Sequence, residues 1–316
     1  MSIEIPVFQD VVEAHERIRN YVHRTPVLTS VSLDQMFEST LYFKCENFQK
    51  VGAFKFRGAT NAVLSLSDEE KKRGVGTHSS GNHAAALSLA ARVQGMKAYI
   101  VMPNNAPEIK KIAVESYGGI ITFCEPTLEA REKGMEKVVA RTGCTFVPSY
   151  NHRNIVCGQG TAAKELIEDA GELDIVIAPV GGGGLLSGTS ISTKGMLPGA
   201  RVIAVEPEGA DDAYRSFTTG EFVPSVNPQT IADGLLTSLG DLTFRVILKH
   251  VDEIVTISEE SIVAAMRLLW ERMKIVVEPS GAVPLAGILE KKIDVKGKRI
   301  GLILSGGNLD LSKLPF

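Results

Sequence analysis

The sequence predicts an α/β protein with mostly parallel strands, and two features of the chain lead there. Short apolar runs at 41–44, 98–102, 120–123, 175–179, 202–205 and 299–304 alternate with longer segments whose apolar residues recur every three or four positions. Runs so short and so evenly apolar suit strands covered on both faces, the situation of a parallel sheet flanked by helices. The intervening segments 82–94, 107–117, 127–142, 160–170 and 258–274 read as the covering helices, most of them opened by Pro, Thr, Ser or Asn. No long linker, low-complexity tract or internal repeat divides the chain. A second domain is therefore expected as an insertion, with a larger domain from 1–73 and 150–316 and a smaller one from 74–149.

The 316 residues are 44% hydrophobic and 22% charged, enough to bury one large core or two smaller ones. A net charge of −3, without a long run of like charges, gives no electrostatic footprint for nucleic acid or an anionic membrane, and favours small-molecule chemistry. No stretch reaches the ~18 apolar residues of a membrane span, and the acidic, proline-containing start lacks signal-peptide character; the expected location is the cytoplasm. Cys45, Cys124, Cys144 and Cys157 are scattered without metal or disulfide spacing and read as small buried hydrophobes.

Four glycine-bearing segments and one acidic loop carry the candidate chemistry. Gly52-Ala53-Phe54-Lys55-Phe56-Arg57-Gly58-Ala59 sets one lysine among apolar and small residues, just before the helix pattern 60–66. Burial disfavours the ammonium form and makes such an amine a nucleophile toward an aldehyde, although a snorkelling lysine at a helix start has the same signature. Thr77-His78-Ser79-Ser80-Gly81-Asn82-His83 precedes a small-residue helix whose first N–H groups would suit a carboxylate; an ordinary serine N-cap reads the same way. After the strand 175–179, Gly181, Gly182, Gly183 and Gly184 open another helix, and a backbone free of side chains can curl its N–H groups around a phosphate. Glu206 lies where a ribose-binding acid would fall in a dinucleotide fold, but G-x-G-x-x-G reaches Leu186 or Ser187 in place of the third glycine. The acidic loop Glu206-Pro207-Glu208-Gly209-Ala210-Asp211-Asp212 offers oxygens to a hard cation, Mg²⁺, Mn²⁺ or Ca²⁺, or is merely solvated. Last, the strand 299–304 delivers Ser305-Gly306-Gly307-Asn308 at its carboxyl end, where ligands bind in open α/β sheets.

These five motifs, in this order over nearly the whole chain, resemble the β-family, or fold-type II, pyridoxal 5′-phosphate (PLP) enzymes. Within it they resemble the serine racemase and serine/threonine dehydratase group. The resemblance implies the tryptophan synthase β-like fold, two open twisted mostly parallel sheets with helices on both faces. It implies that Lys55 carries the cofactor and removes the α-proton, that Phe54 packs beside the ring, and that Asn82 bonds the 3′-oxygen. Ser79, Ser80, Gly81, Asn82 and His83 would grip the substrate carboxylate, and the four glycines the phosphate. Ser305 would meet the pyridine nitrogen as a neutral partner, which in this family goes with elimination rather than transamination. Ser80 would be the second base, on the face opposite Lys55, as inversion requires. Glu206, the carbonyl of Ala210 and Asp212 match the family's divalent-cation site, and Gln49, Lys50, Tyr117, Lys274 and Asn308 match positions around an activating ATP. The implied activity is interconversion of L- and D-serine with loss of water to pyruvate and ammonia. The alternatives are an L-threonine/L-serine dehydratase, a threo-3-hydroxyaspartate ammonia-lyase, or a catalytically silent PLP- or nucleotide-binding protein. A homodimer is the family expectation. Ala53 departs from the serine of many members, and the end at Phe316 leaves no expected room for a C-terminal regulatory domain.

Overall fold

The apolar runs become strands because both of their faces are covered. In the computed structural model, which describes residues 4–79 and 81–316, two sheets are built. Their strands are β1 Val27–Leu28, β2 Thr40–Cys45, β3 Val75–His78, β4 Ala98–Pro103, β5 Gly119–Cys124, β6 Thr145–Phe146, β7 Ile175–Pro179, β8 Arg201–Pro207, β9 Glu253–Ile257 and β10 Arg299–Leu304. The six-stranded sheet has the order β1-β2-β10-β7-β8-β9 and is parallel except for β1 against β2. The four-stranded sheet, β5-β4-β3-β6, is wholly parallel and draws only on residues 75–146. In β7, Ile175 and Ile177 join one core with Met266 and Leu285, whereas Val176 and Ala178 face Leu166, Leu186 and Ile247 on the other side. Burial on both faces is the reason the run shows no polar alternation.

Two helices begin earlier than the sequence pattern indicates. Lys55 is itself the first residue of the helix Lys55–Leu64, and the helix patterned over 160–170 spans Arg153–Ala170. Glycine disfavours a helix in isolation. Here Gly158 and Gly160 let the Arg153–Ala170 helix press against two others: a Cβ at Gly158 would lie 2.8 Å from the Arg57 carbonyl oxygen, and one at Gly160 2.8 Å from that of Gly188. Packing overrides propensity. The Lys55 helix also shares its core with the smaller sheet, since Phe56, Ala59 and Val63 cluster with Ala84, Leu87 and Ile100.

Cys45, Cys144 and Cys157 are buried free thiols and Cys124 is half-buried. Among the described residues, no helix is long and apolar enough to cross a membrane.

Candidate active site

The segment before Lys55 is laced to the segment after β10. Ala53 bridges Gly306, the Phe54 N–H donates to the Ser305 carbonyl at 3.0 Å, and the Gly307 N–H donates to that of Gly52 at 2.9 Å. Lys55 therefore starts its helix beside the buried Ser305. Its Nζ donates to the Ser149 carbonyl at 2.9 Å and lies 5.0 Å from the centre of the Phe54 ring. Burial lowers the Lys55 pKa from 10.5 to about 8, against a smaller opposing effect of nearby Glu278. An amine so placed spends an appreciable time unprotonated near neutral pH, as addition to an aldehyde requires.

The glycine run leaves β7 and enters the helix Gly184–Met196. Gly183 sits at φ +83°, a conformation that favours glycine. A Cβ at Gly181 would stand 2.7 Å from the Leu235 backbone, and one at Gly182 would collide with the Tyr150 ring. This is a cradle closed to side chains and backed by the open N–H groups of a helix start, and it fits a phosphate. The Thr243 hydroxyl donates to the Gly182 carbonyl at 2.9 Å and holds the run from behind.

The Asn82 helix enters from the smaller sheet. Asn82 Nδ2 donates to Glu278 Oε1 at 3.0 Å, Asn308 N–H donates to Glu278 Oε2 at 3.0 Å, and Asn308 Nδ2 donates to Asn82 Oδ1 at 3.0 Å. The ring of three fixes which end of the Asn82 amide is which and leaves one Nδ2 hydrogen free for a ligand. Glu278 is 4% exposed, and burial raises its carboxyl to about 8. Sequence reasoning missed this residue; the signal was a glutamate directly before Pro279, the first residue of the helix Pro279–Leu289. His83 is buried with Nε2 3.1 Å from the Val147 carbonyl, which assigns the proton to Nε2 and leaves Nδ1 an acceptor without a partner among the described residues. Burial drives its pKa down to about 3, so the ring is neutral. It brings no positive charge to a carboxylate, and what the loop offers an anion there is the backbone N–H groups at the helix start. Ser79 Oγ accepts the Gly81 N–H at 3.3 Å. Ser80 lies outside the described residues.

Glu206 and Asp212 stand apart, at the end of β8 and the start of the helix Asp212–Thr219. Both are fully buried, and neither forms a salt bridge among the described residues. Glu206 accepts the N–H groups of Ala213 at 3.0 Å and Tyr214 at 2.7 Å, while among the described residues both Asp212 oxygens lack a hydrogen-bond partner. Burial raises the Glu206 pKa well above the carboxylate range and that of Asp212 to about 6. Buried carboxyls without a counter-charge, beside the buried Ala210, fit a hard cation, with carbonyl and water completing the shell. Among the described residues no three His, Cys, Asp or Glu side chains converge as a metal cluster.

A cavity of about 410 Å³ opens between the two sheets, lined by Asn82, Lys110, Tyr117, Asp233 and Asn308 among others. Gln49, Lys50 and Lys274 do not line it. Gln49 spends its amide on the His23 backbone, and Lys50 Nζ donates to the Tyr21 carbonyl.

Comparison with known proteins agrees with this geometry. The family model described as pyridoxal-phosphate dependent enzyme matches residues 18–306. The chain is 52% identical over 312 residues to the beta-hydroxyaspartate dehydratase of Paracoccus denitrificans (strain Pd 1222), covering 99% of each protein. It is 48% identical over 310 residues to the serine racemase of Dictyostelium discoideum, covering 97% of this chain and 96% of that one. The structure of maize serine racemase superposes with a TM-score of 0.96 at 43% identity, covering 98% of this chain and 95% of that chain. The half-buried amine of Lys55 and the glycine cradle are what a phosphorylated aldehyde cofactor needs. The chain belongs to the pyridoxal-phosphate-dependent enzymes.

Proposed function

We propose that the chain racemises serine and, on the same substrate, eliminates water to give pyruvate and ammonia. The observation that supports this reading is Lys55, with its pKa lowered to about 8, starting its helix beside the buried Ser305 and near Glu278, which Asn82 holds through its amide. Bound PLP supplies the electron sink that lets the bond between the substrate α-carbon and its hydrogen break. Phe54 and Lys55, Asn82, the glycines 181–184 and Ser305 hold the cofactor, and the Asn82–Glu278–Asn308 ring keeps a donor of Asn82 facing it. The Ser305 hydroxyl carries no charge and so does not enforce protonation of the cofactor ring. Backbone N–H groups at the start of the Asn82 helix bind the substrate carboxylate. Lys55 Nζ takes or returns the α-proton on its own face, and Ser80 does so on the other. Return of the proton from the opposite face inverts the centre, and departure of the β-hydroxyl leads to the keto acid.

A second reading, dehydration of 3-hydroxyaspartate, has support of its own in the 52% identity to a beta-hydroxyaspartate dehydratase. Half-buried Arg131 also acts electrostatically on both His78 and Tyr150, next to the glycine run, where a second carboxylate would want a cation. Glu206, the Ala210 carbonyl and Asp212 are the proposed site for Mg²⁺, with Mn²⁺ or Ca²⁺ as substitutes. The cavity beside Tyr117 and Asn308 is proposed for ATP as an activator, with Lys110 a further cation on its wall. The division into 1–73 with 150–316 and 74–149, a homodimeric state and a cytoplasmic location complete the proposal. The test is incubation with PLP, Mg²⁺ and L-serine, with D-serine resolved by chiral chromatography and pyruvate measured alongside. Substantial D-serine supports the racemase; pyruvate alone, with higher turnover on 3-hydroxyaspartate than on serine or threonine, replaces it with the lyase.

A further inference from the structure

Gln159 lies midway along the helix Arg153–Ala170 with none of its surface exposed, and among the described residues neither Oε1 nor Nε2 has a hydrogen-bond partner. Buried carboxamides are seldom left this way, because both ends lose water and gain nothing. Several polar neighbours are satisfied: Asn61 Nδ2 donates to the Asn154 carbonyl at 2.7 Å, Thr161 Oγ1 to that of Gly158 at 2.6 Å, and Ser192 Oγ to that of Gly160 at 2.8 Å. The hydroxyls of Thr60, Thr189 and Thr193 on the packed helices also lack a partner among the described residues, but each is a single group, whereas Gln159 leaves both ends of a carboxamide unpaired.

Its surroundings say what the missing partner is. A Cβ at Gly184 would come 2.7 Å from Oε1, and one at Gly58 would come 3.1 Å from Nε2. The carboxamide thus lies between the last glycine of the run and the fourth residue of the helix that Lys55 begins. With no partner among the described residues, its two ends are interchangeable. An anion in the cradle would fix the amide with Nε2 toward the glycines.

We propose that Gln159 is a cofactor-positioning residue whose amide N–H donates to the PLP phosphate, directly or through one bound water, from beneath the glycine run. This rests on the reading of 181–184 as the phosphate cradle. The test strips PLP from the full chain and retitrates it with PLP and with pyridoxal, which lacks the phosphate, following cofactor absorbance. Gln159→Met removes the polar atoms at nearly constant shape. It should weaken PLP by at least about tenfold, the loss of one hydrogen bond to a charged group. Pyridoxal affinity should be unchanged, and the melting temperature of the stripped variant should be at least that of the wild type. Gln159→Glu should weaken PLP further, again sparing pyridoxal. Unchanged PLP affinity in either folded variant, or equal losses for PLP and pyridoxal, overturns the proposal. A wild type that binds PLP no more tightly than pyridoxal removes the cradle reading and this one with it; retained discrimination in Gln159→Met removes this one alone.

Discussion

Replacing Glu278 by glutamine should change the sign of its effect on stability with pH. In the fold, burial holds this carboxyl at about 8, against an ordinary value of 4.5. An acid whose pKa is raised on folding favours the native state fully below its unfolded pKa, and loses that advantage as pH rises through the folded one. Here the window runs from 4.5 to about 8. Each pH unit inside it removes about 1.4 kcal/mol, about 5 kcal/mol in all. Glutamine does not titrate. It does lose a bond, because Asn82 Nδ2 and Asn308 N–H donate to different oxygens of Glu278 and either amide orientation sets its own NH₂ against one of them. That loss costs about 1–3 kcal/mol at every pH. Glu278→Gln should therefore be less stable than wild type at pH 4.5, cross it once at a pH between roughly 5 and 7, and be more stable at pH 8.5. Urea unfolding of the PLP-loaded proteins at 25 °C, at half-unit pH steps, measures this directly. A constant deficit across the range would refute the reasoning, because it would mean that Glu278 is ionised in the fold.

Lys55 in the stripped protein should titrate near pH 8 by competitive acetylation and mass spectrometry, since burial disfavours its ammonium form; a midpoint above 10 would contradict its placement. The Lys55→Ala protein should lose the cofactor absorbance band and both reactions. Added Mg²⁺ should raise the melting temperature more at pH 8 than at pH 5.5, because the cation competes with protons on two carboxyls whose pKa values are raised, that of Asp212 to about 6. Asp212→Asn should abolish the gain, and an equal gain at both pH values would argue for a different site. Ser80→Ala should keep pyruvate formation while D-serine output falls by about 10² or more, the usual worth of a positioned acid or base; parallel loss of both products would give Ser80 a binding role instead.

The parts of the site legible in the sequence are those whose chemistry is written locally. Four consecutive glycines after a strand have no ordinary packing role, and the structure closes Gly181 and Gly182 to any side chain. The strands β7 and β10 have the predicted bounds because double burial demands an unbroken apolar run. What was hidden depends on partners far off in the chain. Glu278 gains its place from Asn82, 196 residues away, and its one local mark, a position directly before Pro279, announces a helix start and not a site. The Arg153–Ala170 helix began seven residues ahead of its pattern because Gly158 and Gly160 argue against a helix until the opposing backbones are known. The two-residue strands β1 and β6 are too short to hold a periodic signal.

One structural feature joins these observations. Two residues beyond Lys55, Arg57 is fully buried, its guanidinium paired with Glu46 at 2.8 Å and Glu165 at 2.7 Å, and Glu165 in turn takes buried Lys44 at 2.7 Å. Two cations and two anions cancel, and the pairing holds the Glu165 carboxyl down at about 2 despite its burial. Such a cluster adds little net stability over a well-packed apolar one, but it is intolerant of misalignment, since displacing any member strands a charge in the core. Glu46 directly follows β2, and Glu165 lies on the Arg153–Ala170 helix. Arg57 thereby ties the first turn of the Lys55 helix to the large sheet and to the helix that carries Gln159. The other side of the Lys55 helix packs on the smaller sheet. The lysine is thus anchored to the larger sheet and held in register with Ser305, while the same helix packs on its other side against the Asn82 helix.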